Sequence, residues 1–294
     1  MNILLSADNN FKIPLATLIC SLCESQKKEE HLNFYLYKND LSNNDIQQLS
    51  YVANAKKAGL CIIDLPEWVE EKFGRVVQTK STSLKEHSLS KATYYRLFAP
   101  LILYVDRILY IDADCIVKKD LTSFYYQNIQ KYLIAACDQA AWDLPQLSLK
   151  DYPRKDIPEY FNSGIMLMNI DLLKRFFKAN HLDFNSLLTI IQDYTGRDFD
   201  QGILNKLIPR SMVKWEDPLK YNMFINQKWD HGLSKASNKA EEHPIQYDLY
   251  DQCSILHYAS PKKPWDNPLE LDYEKAKYYL YYSEKLQELL KSKS

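Results

Sequence analysis

Short apolar runs alternate with helix-like stretches along the first part of the chain, and this alternation limits the folds open to it. Apolar runs at 2–8, 32–40 and 60–66 are typical of short strands. Helical patterns at 12–24 and 41–59 separate them, and Gly59 is expected to end the second helix. Strands joined by helices pair in parallel. The chain is therefore predicted to be an α/β protein with a mostly parallel sheet and helices on both faces.

The rest of the chain continues the pattern less regularly. Further strands are predicted in 107–114, 132–138, 160–169 (after a turn) and 253–260. Helices are predicted at 90–103 (capped by Ser90, with Pro100 near its end), 170–176, 198–208 and 270–294. The segments 76–90 and 226–243 are polar and are predicted to be loops. No repeat or linker divides the sequence, so we expect one domain at 1–265 and a helical tail at 266–294.

Composition excludes several classes of protein. The chain has 294 residues, 46% of them hydrophobic, and a net charge of −1, which argues against a dedicated nucleic-acid binder. It has no 18-residue apolar stretch and no secretory leader pattern at its N-terminus, so we expect a cytoplasmic protein. The six glycines form neither a dinucleotide-binding nor a P-loop motif.

A CxxC at Cys20 and Cys23 lies in a helical pattern, where core packing is favoured over a metal or redox role.

Two carboxylates end the strand predicted at 107–114. Asp112 and Asp114 stand one residue apart in "LYIDADC", where a buried strand should carry no charge. Ligands of open α/β sheets bind at the carboxyl ends of strands, and Asp8 and Asp138 also follow predicted strands. A single aspartate there usually caps a helix or turn, but a pair can converge on a hard cation. Without a cation the two charges would repel.

Two metal-dependent chemistries fit such a pair. One is a phosphatase of the haloacid-dehalogenase kind, whose DxDx(T/V) motif "DADCI" nearly matches, with Ile116 as the mismatch. That motif usually lies near the start of its domain, and here it lies about a hundred residues in. The other is a nucleotide-sugar transferase, in which the pair holds a divalent ion against a diphosphate leaving group.

Five segments, in order, resemble the family 8 retaining glycosyltransferases, which include bacterial lipopolysaccharide galactosyl- and glucosyltransferases and glycogenin. They are "ILLSADNNF", "TYYRLFAPLIL", "LYIDADCIV", "YFNSGIMLMN" with "DFDQGILN", and "HYASPKKPW". The resemblance runs from about residue 2 to 265. It implies a GT-A domain that moves galactose or glucose from a UDP-sugar to a saccharide acceptor, on lipopolysaccharide or on a surface glycoprotein. The remaining alternative is a non-catalytic sugar-nucleotide-binding module, which would be expected to lose a metal ligand or the diphosphate lysine.

The resemblance also implies a set of site residues. Asp112, Asp114 and His257 would bind Mn²⁺, with Mg²⁺ as the other candidate. The donor-binding residues would be Ala7, Asp8, Asn10, Arg96, Asp112, Ala113, Asn162, Ser163, Ser260 and Lys263. Ser260 stands where the family commonly has glycine, which leaves the backbone geometry beside the phosphates open. Gly164 is expected to serve a backbone turn.

The resemblance further implies the catalytic residues Gln201, Asp200 and Asp138, the last on the acceptor side. An amide is a poor nucleophile, so Gln201 favours front-face substitution, with attack from the side on which the diphosphate leaves. In this mechanism Gln201 would stabilise the oxocarbenium-like state. Asp138 could equally be a turn residue at a strand end.

The tail has two interpretations. Tyr279, Tyr282, Leu286 and Leu290 share one helical face. Tyrosines favour membrane interfaces, so the tail could bring the protein to the inner face of the cell membrane as a peripheral contact. Its lysines are balanced by acids, which weakens the attraction to anionic lipid. Packing of the tyrosines on the catalytic domain is the favoured interpretation.

Overall fold

A computed structural model of the protein describes residues 1–84, 90–138, 160–196, 198–225, 247–259, 263–266 and 273–292. Its strands are β1 (Asn2–Ser6), β2 (Asn33–Tyr37), β3 (Gly59–Ile63), β4 (Arg107–Ile111), β5 (Cys115–Val117), β6 (Ile134–Asp138), β7 (Phe161–Asn169), β8 (Val213–Glu216), β9 (Met223–Phe224) and β10 (Ile255–His257). Its helices are α1 (Lys12–Ser25), α2 (Asn43–Ala55), α3 (Glu67–Leu84), α4 (Ala99–Ile102), α5 (Thr122–Tyr125), α6 (Ile170–Ala179), α7 (Phe184–Asp193), α8 (Phe199–Leu207), α9 (Pro218–Tyr221), α10 (Tyr247–Gln252) and α11 (Tyr273–Lys291).

Seven strands form the main sheet in the order β3-β2-β1-β4-β7-β6-β8. All neighbours pair in parallel except β7, which runs antiparallel to both β4 and β6. Alternate residues of β1 enter opposite cores: Ile3 and Leu5 belong to the cluster that contains α1 and α2 residues, and Leu4 belongs to the one that contains α3, α6 and α7 residues. Because both faces are covered, β1 is apolar along most of its length. The predicted α/β fold with helices on both faces is confirmed.

A smaller sheet in the order β5-β10-β9 continues from the main one. β5 follows β4 after the turn at 112–114, and β10 pairs antiparallel with β5 and parallel with β9. Ile116, Leu256 and Phe224 from its strands pack with α11 in a third apolar cluster. The sequence predicted β10 but not its partners β5 and β9, which have only three and two residues.

Three local predictions were wrong. The segment 76–84 belongs to α3, because Val69, Phe73 and Val77 form a buried stripe at helical spacing that outweighs its polar composition. The stretch 91–102 is a series of 3₁₀ turns followed by α4, and Pro100 lies in the first turn of α4. Gly59 is the first residue of β3, and α2 ends instead at a Schellman motif in which Lys57 has φ 60°.

The C-terminal helix α11 packs on the rest of the protein. Tyr279 and Tyr282 are buried in the third cluster, and Leu286 is buried with α1 residues. The Tyr279 ring lies 5.2 Å from that of Trp265. This arrangement agrees with the favoured interpretation, in which the tail packs on the catalytic domain. It gives no support to the membrane contact. Within the described ranges, no helix is both long and apolar enough to cross a bilayer. The loop predicted at 226–243 lies outside the described residues.

Candidate active site

The predicted strand-end residues meet at one edge of the main sheet. Asp112 directly follows β4, and Asp8 lies two residues after the parallel neighbour β1. β7 runs antiparallel and starts at this edge, which places Asn162 beside them. Asp138, the last residue of β6, pairs with Phe161 of β7. Four strands therefore deliver polar side chains to one place, as open α/β sheets do at their ligand sites.

His257 reaches the acid pair through the small sheet. The antiparallel pairing of β10 with β5 sets His257 opposite Cys115, next to Asp114. His257 Nε2 lies 3.2 Å from Asp114 Oδ1 and 3.8 Å from Asp112 Oδ2. The backbone N–H of Tyr258 donates to the carbonyl of Asp114 at 2.9 Å and holds the two segments together. The three predicted metal ligands thus converge, although 143 positions separate Asp114 from His257 in the sequence.

This convergence suits a divalent cation. Ligand atoms about 2.1 Å from an octahedral ion lie roughly 3 Å from one another, close to the spacings around Nε2. Asp114, Cys115 and His257 also offer ligand atoms within 4.8 Å of one another. A thiolate such as that of Cys115, in contrast, is a soft ligand that suits Zn²⁺ or Cu⁺ better than the hard cations preferred by carboxylates. The fitting set is therefore Asp112, Asp114 and His257, and two carboxylates with one imidazole suit Mn²⁺ or Mg²⁺.

Arg96 joins the acid pair to Asp200. Its Nη2 donates to Asp112 Oδ1 at 2.8 Å, and its Nε lies 3.2 Å from Asp200 Oδ2. Nη1 donates to the carbonyl of Ser163 at 2.7 Å, and the guanidinium lies 4.0 Å from the centre of the Tyr110 ring. Burial would lower the pKa of Arg96, but the carboxylates of Asp112 and Asp200 raise it above its ordinary value. Arg96 is a permanent, fixed cation that bridges two parts of the site.

Asp200 is the most perturbed acid on the α8 side. Burial raises the pKa of Asp200 to about 6, although the Arg96 guanidinium opposes the shift. The hydroxyl of Ser163 also donates to Asp200 Oδ2 at 3.1 Å. The predicted residues Arg96, Ser163 and Asp200 therefore form one buried contact group.

Lys263 contacts Asp114, whereas Arg96 contacts Asp112. Its Nζ donates to Asp114 Oδ2 at 2.8 Å. Burial disfavours the ionised carboxylate, but Lys263 and then His257 hold the pKa of Asp114 below its usual range. The rings of Phe11 and Trp265, 5.8 Å apart in a T-shaped contact, both flank the Lys263 ammonium. A cation and two aromatic rings thus form one wall of the site.

The predicted nucleotide residues follow β1. The carboxylate of Asp8 accepts the N–H of Asn10 at 3.0 Å and caps the 3₁₀ turn at Asn9–Phe11. Ala7 and Asp8 are buried, and Asn10 is exposed. Ala113, between the two acids, is also buried, while Ser260 lies outside the described residues.

Gln201 is tied to the start of β7. Its Oε1 accepts Asn162 Nδ2 at 2.9 Å and the N–H of Ser163 at 3.1 Å. Asn205, one turn further along α8, accepts the N–H of Phe161 at 3.0 Å. These contacts fix the distance between α8 and β7, so that the three predicted donor-side residues 162, 163 and 201 are neighbours.

Gly164 does not form the predicted turn. It lies within β7, and no described glycine has a positive φ. A Cβ at Gly164 would lie 2.5 Å from His257 Cε1 and 2.6 Å from Asp112 Oδ2. Glycine is needed here because the strand passes directly behind Asp112 and His257.

Two further residues that the sequence did not predict contact Asp112 and His257. The hydroxyl of Tyr110 donates to Asp112 Oδ1 at 2.6 Å. Asn222, which is fully buried, contacts His257 Nδ1 through its Oδ1 at 2.9 Å. Tyr110 sits in an apolar run and Asn222 in a short unpatterned segment, so neither carries a sequence signal.

The alternative metal or redox site at Cys20 and Cys23 gains no support. Both side chains lie in α1, and all six cysteines of the chain are free. Burial raises the pKa of both thiols, that of Cys23 to about 12. They remain protonated near neutral pH and pack as small apolar residues.

Comparison with known proteins identifies the family of this site. The model of glycosyl transferase family 8 matches residues 2–268. The chain belongs to this family. A similar structure is that of the galactosyltransferase LgtC in complex with donor and acceptor sugar analogues, with a TM-score of 0.63 at 19% identity over 99% of this chain and 96% of that one. This likeness establishes the GT-A fold.

Curated relatives include glycosyltransferases of differing length. Glycosyltransferase GlyF of Streptococcus pneumoniae is 24% identical over 90% of this chain, and General stress protein A of Bacillus subtilis is 23% identical over 96%. Lipopolysaccharide 1,2-glucosyltransferase of Escherichia coli is 28% identical over 60% of this chain. The chain spans 57% of GlyF, 93% of General stress protein A and 49% of the Escherichia coli enzyme. Family membership argues against the phosphatase interpretation.

Proposed function

We propose that the protein is a metal-dependent, retaining glycosyltransferase that moves galactose or glucose from a UDP-sugar to a saccharide acceptor. The observation that carries the proposal is the convergence of Asp112, Asp114 and His257, with Lys263 at 2.8 Å from Asp114. A sugar-nucleotide-binding module without activity would not need to keep the ligands and the lysine together. Both are kept here, within a chain that belongs to a glycosyltransferase family.

The metal side of the site would stabilise the leaving group. Mn²⁺ or Mg²⁺ held by Asp112, Asp114 and His257 would act as a Lewis acid toward the diphosphate. Lys263 is a compact point charge next to Asp114, positioned to share its contact between that carboxylate and a phosphate oxygen. Phe11 and Trp265 beside it offer ring faces to the nucleotide, and Asp8 and Asn10 lie after the adjacent strand.

The sugar side would be formed by Asn162, Ser163, Asp200 and Gln201. Both lone pairs of Gln201 Oε1 already accept hydrogen bonds, from Asn162 and from the N–H of Ser163, which further lowers its capacity as a nucleophile. This supports front-face substitution, in which the acceptor hydroxyl attacks on the departing side. Arg96 would hold Asp112 and Asp200 in place and also face the donor.

The proposal for the acceptor rests on the position of Asp138 and on the names of related proteins. Asp138, at the end of β6, would face the acceptor hydroxyl. The names of the relatives include a lipopolysaccharide glucosyltransferase and pneumococcal glycosyltransferases. A glycan on lipopolysaccharide or on a surface glycoprotein is the acceptor class that we propose, with the enzyme acting in the cytoplasm.

The decisive test is a panel of UDP-sugars incubated with the purified protein, with Mn²⁺, Mg²⁺ or EDTA. Slow hydrolysis of UDP-galactose or UDP-glucose is expected with Mn²⁺, because water can replace the acceptor. EDTA should abolish it and Mn²⁺ should restore it. Full turnover in EDTA would exclude the metal-dependent mechanism, and no turnover of any UDP-sugar would oppose the proposed donor class.

Asp114→Asn tests the metal site itself. The substitution removes a ligand charge, so kcat should fall by about 100-fold or more, since even outer-shell losses at metal sites cost about 10- to 100-fold. The melting temperature should change little by comparison. Asp64→Asn is a matched control, because the Asp64 side chain is 60% exposed and contacts only Lys38 at 4.0 Å among the ion pairs of the described residues. Equal losses in both variants would rule out a specific role for Asp114.

Gln201→Ala tests the substitution mechanism. If Gln201 is not a nucleophile, the variant should keep partial activity, and no sugar should remain attached to the wild-type protein during turnover. Intact-mass spectrometry of the protein quenched in the steady state measures this directly. A hexose adduct that maps to Gln201 would overturn front-face substitution.

A further inference from the structure

A chain of buried side-chain amides connects His257 to Gln201. His257 Nδ1 lies 2.9 Å from Asn222 Oδ1, and Asn222 Nδ2 lies 2.8 Å from Asn162 Oδ1. Asn162 Nδ2 in turn lies 2.9 Å from Gln201 Oε1. Asn222 is fully buried, and Asn162 is 7% exposed. Three consecutive hydrogen bonds therefore run from the metal side of the site to its sugar side.

Backbone donors fix the direction of every bond in this chain. The N–H of Gly164 donates to Asn162 at 3.0 Å, and the N–H of Ser163 donates to Gln201 at 3.1 Å. A backbone N–H can only donate, so each of these side-chain atoms must be an oxygen. Asn222 must then present its NH₂ to Asn162, and it has only its oxygen left for His257. His257 Nδ1 must consequently carry a proton.

We propose that Asn222 is a positioning residue that sets the tautomer of His257. With the proton on Nδ1, the lone pair of Nε2 faces Asp112 and Asp114, where a cation would bind. The opposite tautomer would place an N–H on Nε2, 3.2 Å from Asp114 Oδ1, where it would donate to that carboxylate and block the ligand atom. The inference rests on the proposed metal-dependent function and deepens it.

The same chain makes the two halves of the site depend on each other. Asn162 cannot turn its amide without losing its contacts to both Gly164 and Gln201. Asn222 cannot turn without placing its own oxygen against Asn162 Oδ1. The T-shaped contact of Phe224 with the His257 ring, at 4.9 Å, supports the ring orientation from another side. Asn222 thus couples the orientation of a metal ligand to the orientation of the donor-side amides.

Asn222→Leu removes the acceptor while keeping the number and branching of the side-chain heavy atoms. Long-range ¹H–¹⁵N spectra of histidine-labelled protein, recorded at alkaline pH, distinguish the two neutral tautomers. The wild type should show His257 with Nδ1 protonated, and the variant should shift to protonated Nε2. His257→Gln identifies the signal among the six histidines. Mn²⁺ affinity, measured by the EPR signal of free Mn²⁺ in a titration, should fall about 10- to 100-fold in Asn222→Leu.

Asn222→Asp separates the effect of Asn222 on the His257 tautomer from its link to Gln201. One carboxylate oxygen still accepts the Nδ1 proton, so Mn²⁺ affinity should stay within about threefold of the wild type. The other oxygen faces Asn162 Oδ1, which already accepts the N–H of Gly164, so the link to Gln201 breaks. The kcat of UDP-sugar hydrolysis should then fall about tenfold or more while Mn²⁺ affinity is kept.

Asn169 provides the matched control. It lies at the other end of β7, and its amide likewise uses both ends, donating to the Ile129 carbonyl at 3.0 Å and accepting the N–H of Leu172 at 3.1 Å. Asn169→Leu and Asn169→Asp should lower stability without changing the His257 tautomer or Mn²⁺ affinity.

Two results would overturn the proposal: an unchanged tautomer in Asn222→Leu, or a loss of Mn²⁺ affinity in Asn169→Leu equal to that in Asn222→Leu. Wild-type kcat in Asn222→Asp would overturn the coupling to Gln201. If the wild type binds no Mn²⁺, the proposed metal-dependent function fails, and the tautomer spectra still decide the role of Asn222.

Discussion

At the scale of single residues, the site depends on shapes that no other side chain can supply. Arg96 donates to Asp112 and to the Ser163 carbonyl and forms an ion pair with Asp200, and Gly164 makes room for Asp112 and His257 by having no side chain. Both residues act on side chains from distant segments of the chain. The sequence placed Arg96 at the donor site, but it could not show the contacts that either residue makes.

Gly164→Ala tests the close approach of β7 behind the proposed metal ligands Asp112 and His257. The new methyl would meet His257 and Asp112 at 2.5 and 2.6 Å, so both ligands must move. We expect a loss of about 1–3 kcal/mol in unfolding free energy, as for other overpacked sites, and a clear drop in Mn²⁺ affinity. Urea denaturation and the EPR titration measure the two effects.

Gly74→Ala is the control. Gly74 lies inside α3, and a methyl group added there would meet no atom within 4 Å beyond its own helix backbone and chain neighbours. Alanine should raise stability there by about 0.5–1 kcal/mol, with wild-type Mn²⁺ affinity. If Gly164→Ala behaved like Gly74→Ala, the steric explanation would be wrong.

The sequence predicted the site residues better than it predicted their relations. The recognisable motifs "LYIDADCIV" and "HYASPKKPW" contain Asp112, Asp114 and His257. The convergence of these three side chains agrees with the predicted ligand set. Asn222 and Tyr110 could not be predicted, because a hydrogen bond between distant segments needs the register of β4, β7 and β10. The role predicted for Gly164 was wrong, because turn and close-approach glycines look alike in a sequence.

At the scale of elements, capping chemistry and burial decide where helices start and stop. Ser42 and Asp45 form the capping box that begins α2, as the cap-type residues at its start indicate. The predicted C′ residue, Gly59, lies two positions beyond the actual one, Lys57, because a lysine at C′ gives no signal. In α3, burial of one stripe stabilises a helix whose exposed face has the composition of a loop. Propensity is a weak guide where tertiary packing chooses the outcome.

Lys57→Gly tests the end of α2. Lys57 has φ 60°, and the N–H groups of Lys57 and Ala58 close the Schellman motif onto Asn54 and Ala53. Glycine adopts this conformation without the steric cost of a side chain, which is about 1–2 kcal/mol for other residues. After the entropic cost of glycine, a gain of about 0.5–1 kcal/mol is expected. Chemical denaturation with an unchanged m-value is the measurement.

Lys56→Gly is the neighbouring control. Lys56 has φ −105°, where a side chain costs nothing. Glycine should therefore be neutral or slightly destabilising at this position. A larger gain at Lys56 than at Lys57 would contradict the assignment of Lys57 as the C′ residue.

At the scale of the whole molecule, two sheets and a C-terminal helix share one site. The main sheet presents Asp112, and the small sheet presents His257 on β10. The apolar cluster of the small sheet is completed by α11 through Tyr279 and Tyr282. Asp114 and His257 therefore depend on packing that extends to the end of the described chain. The division into a domain at 1–265 and a tail stays a prediction, and the buried face of α11 argues that the tail stabilises the domain.

Leu286→Ala and a deletion of 270–294 test the tail. Leu286 is 4% exposed among α1 residues, and truncation of such a leucine costs about 2–5 kcal/mol. Tyr281→Ala, on the same helix but 52% exposed, should change stability by less than about 0.5 kcal/mol. The deletion should melt at a much lower temperature or aggregate, since it uncovers Tyr258 and the small sheet.

Flotation with anionic vesicles tests the membrane alternative: full-length protein should stay unbound. Vesicle binding that disappears in a stably folded deletion variant would instead assign the tail to the membrane.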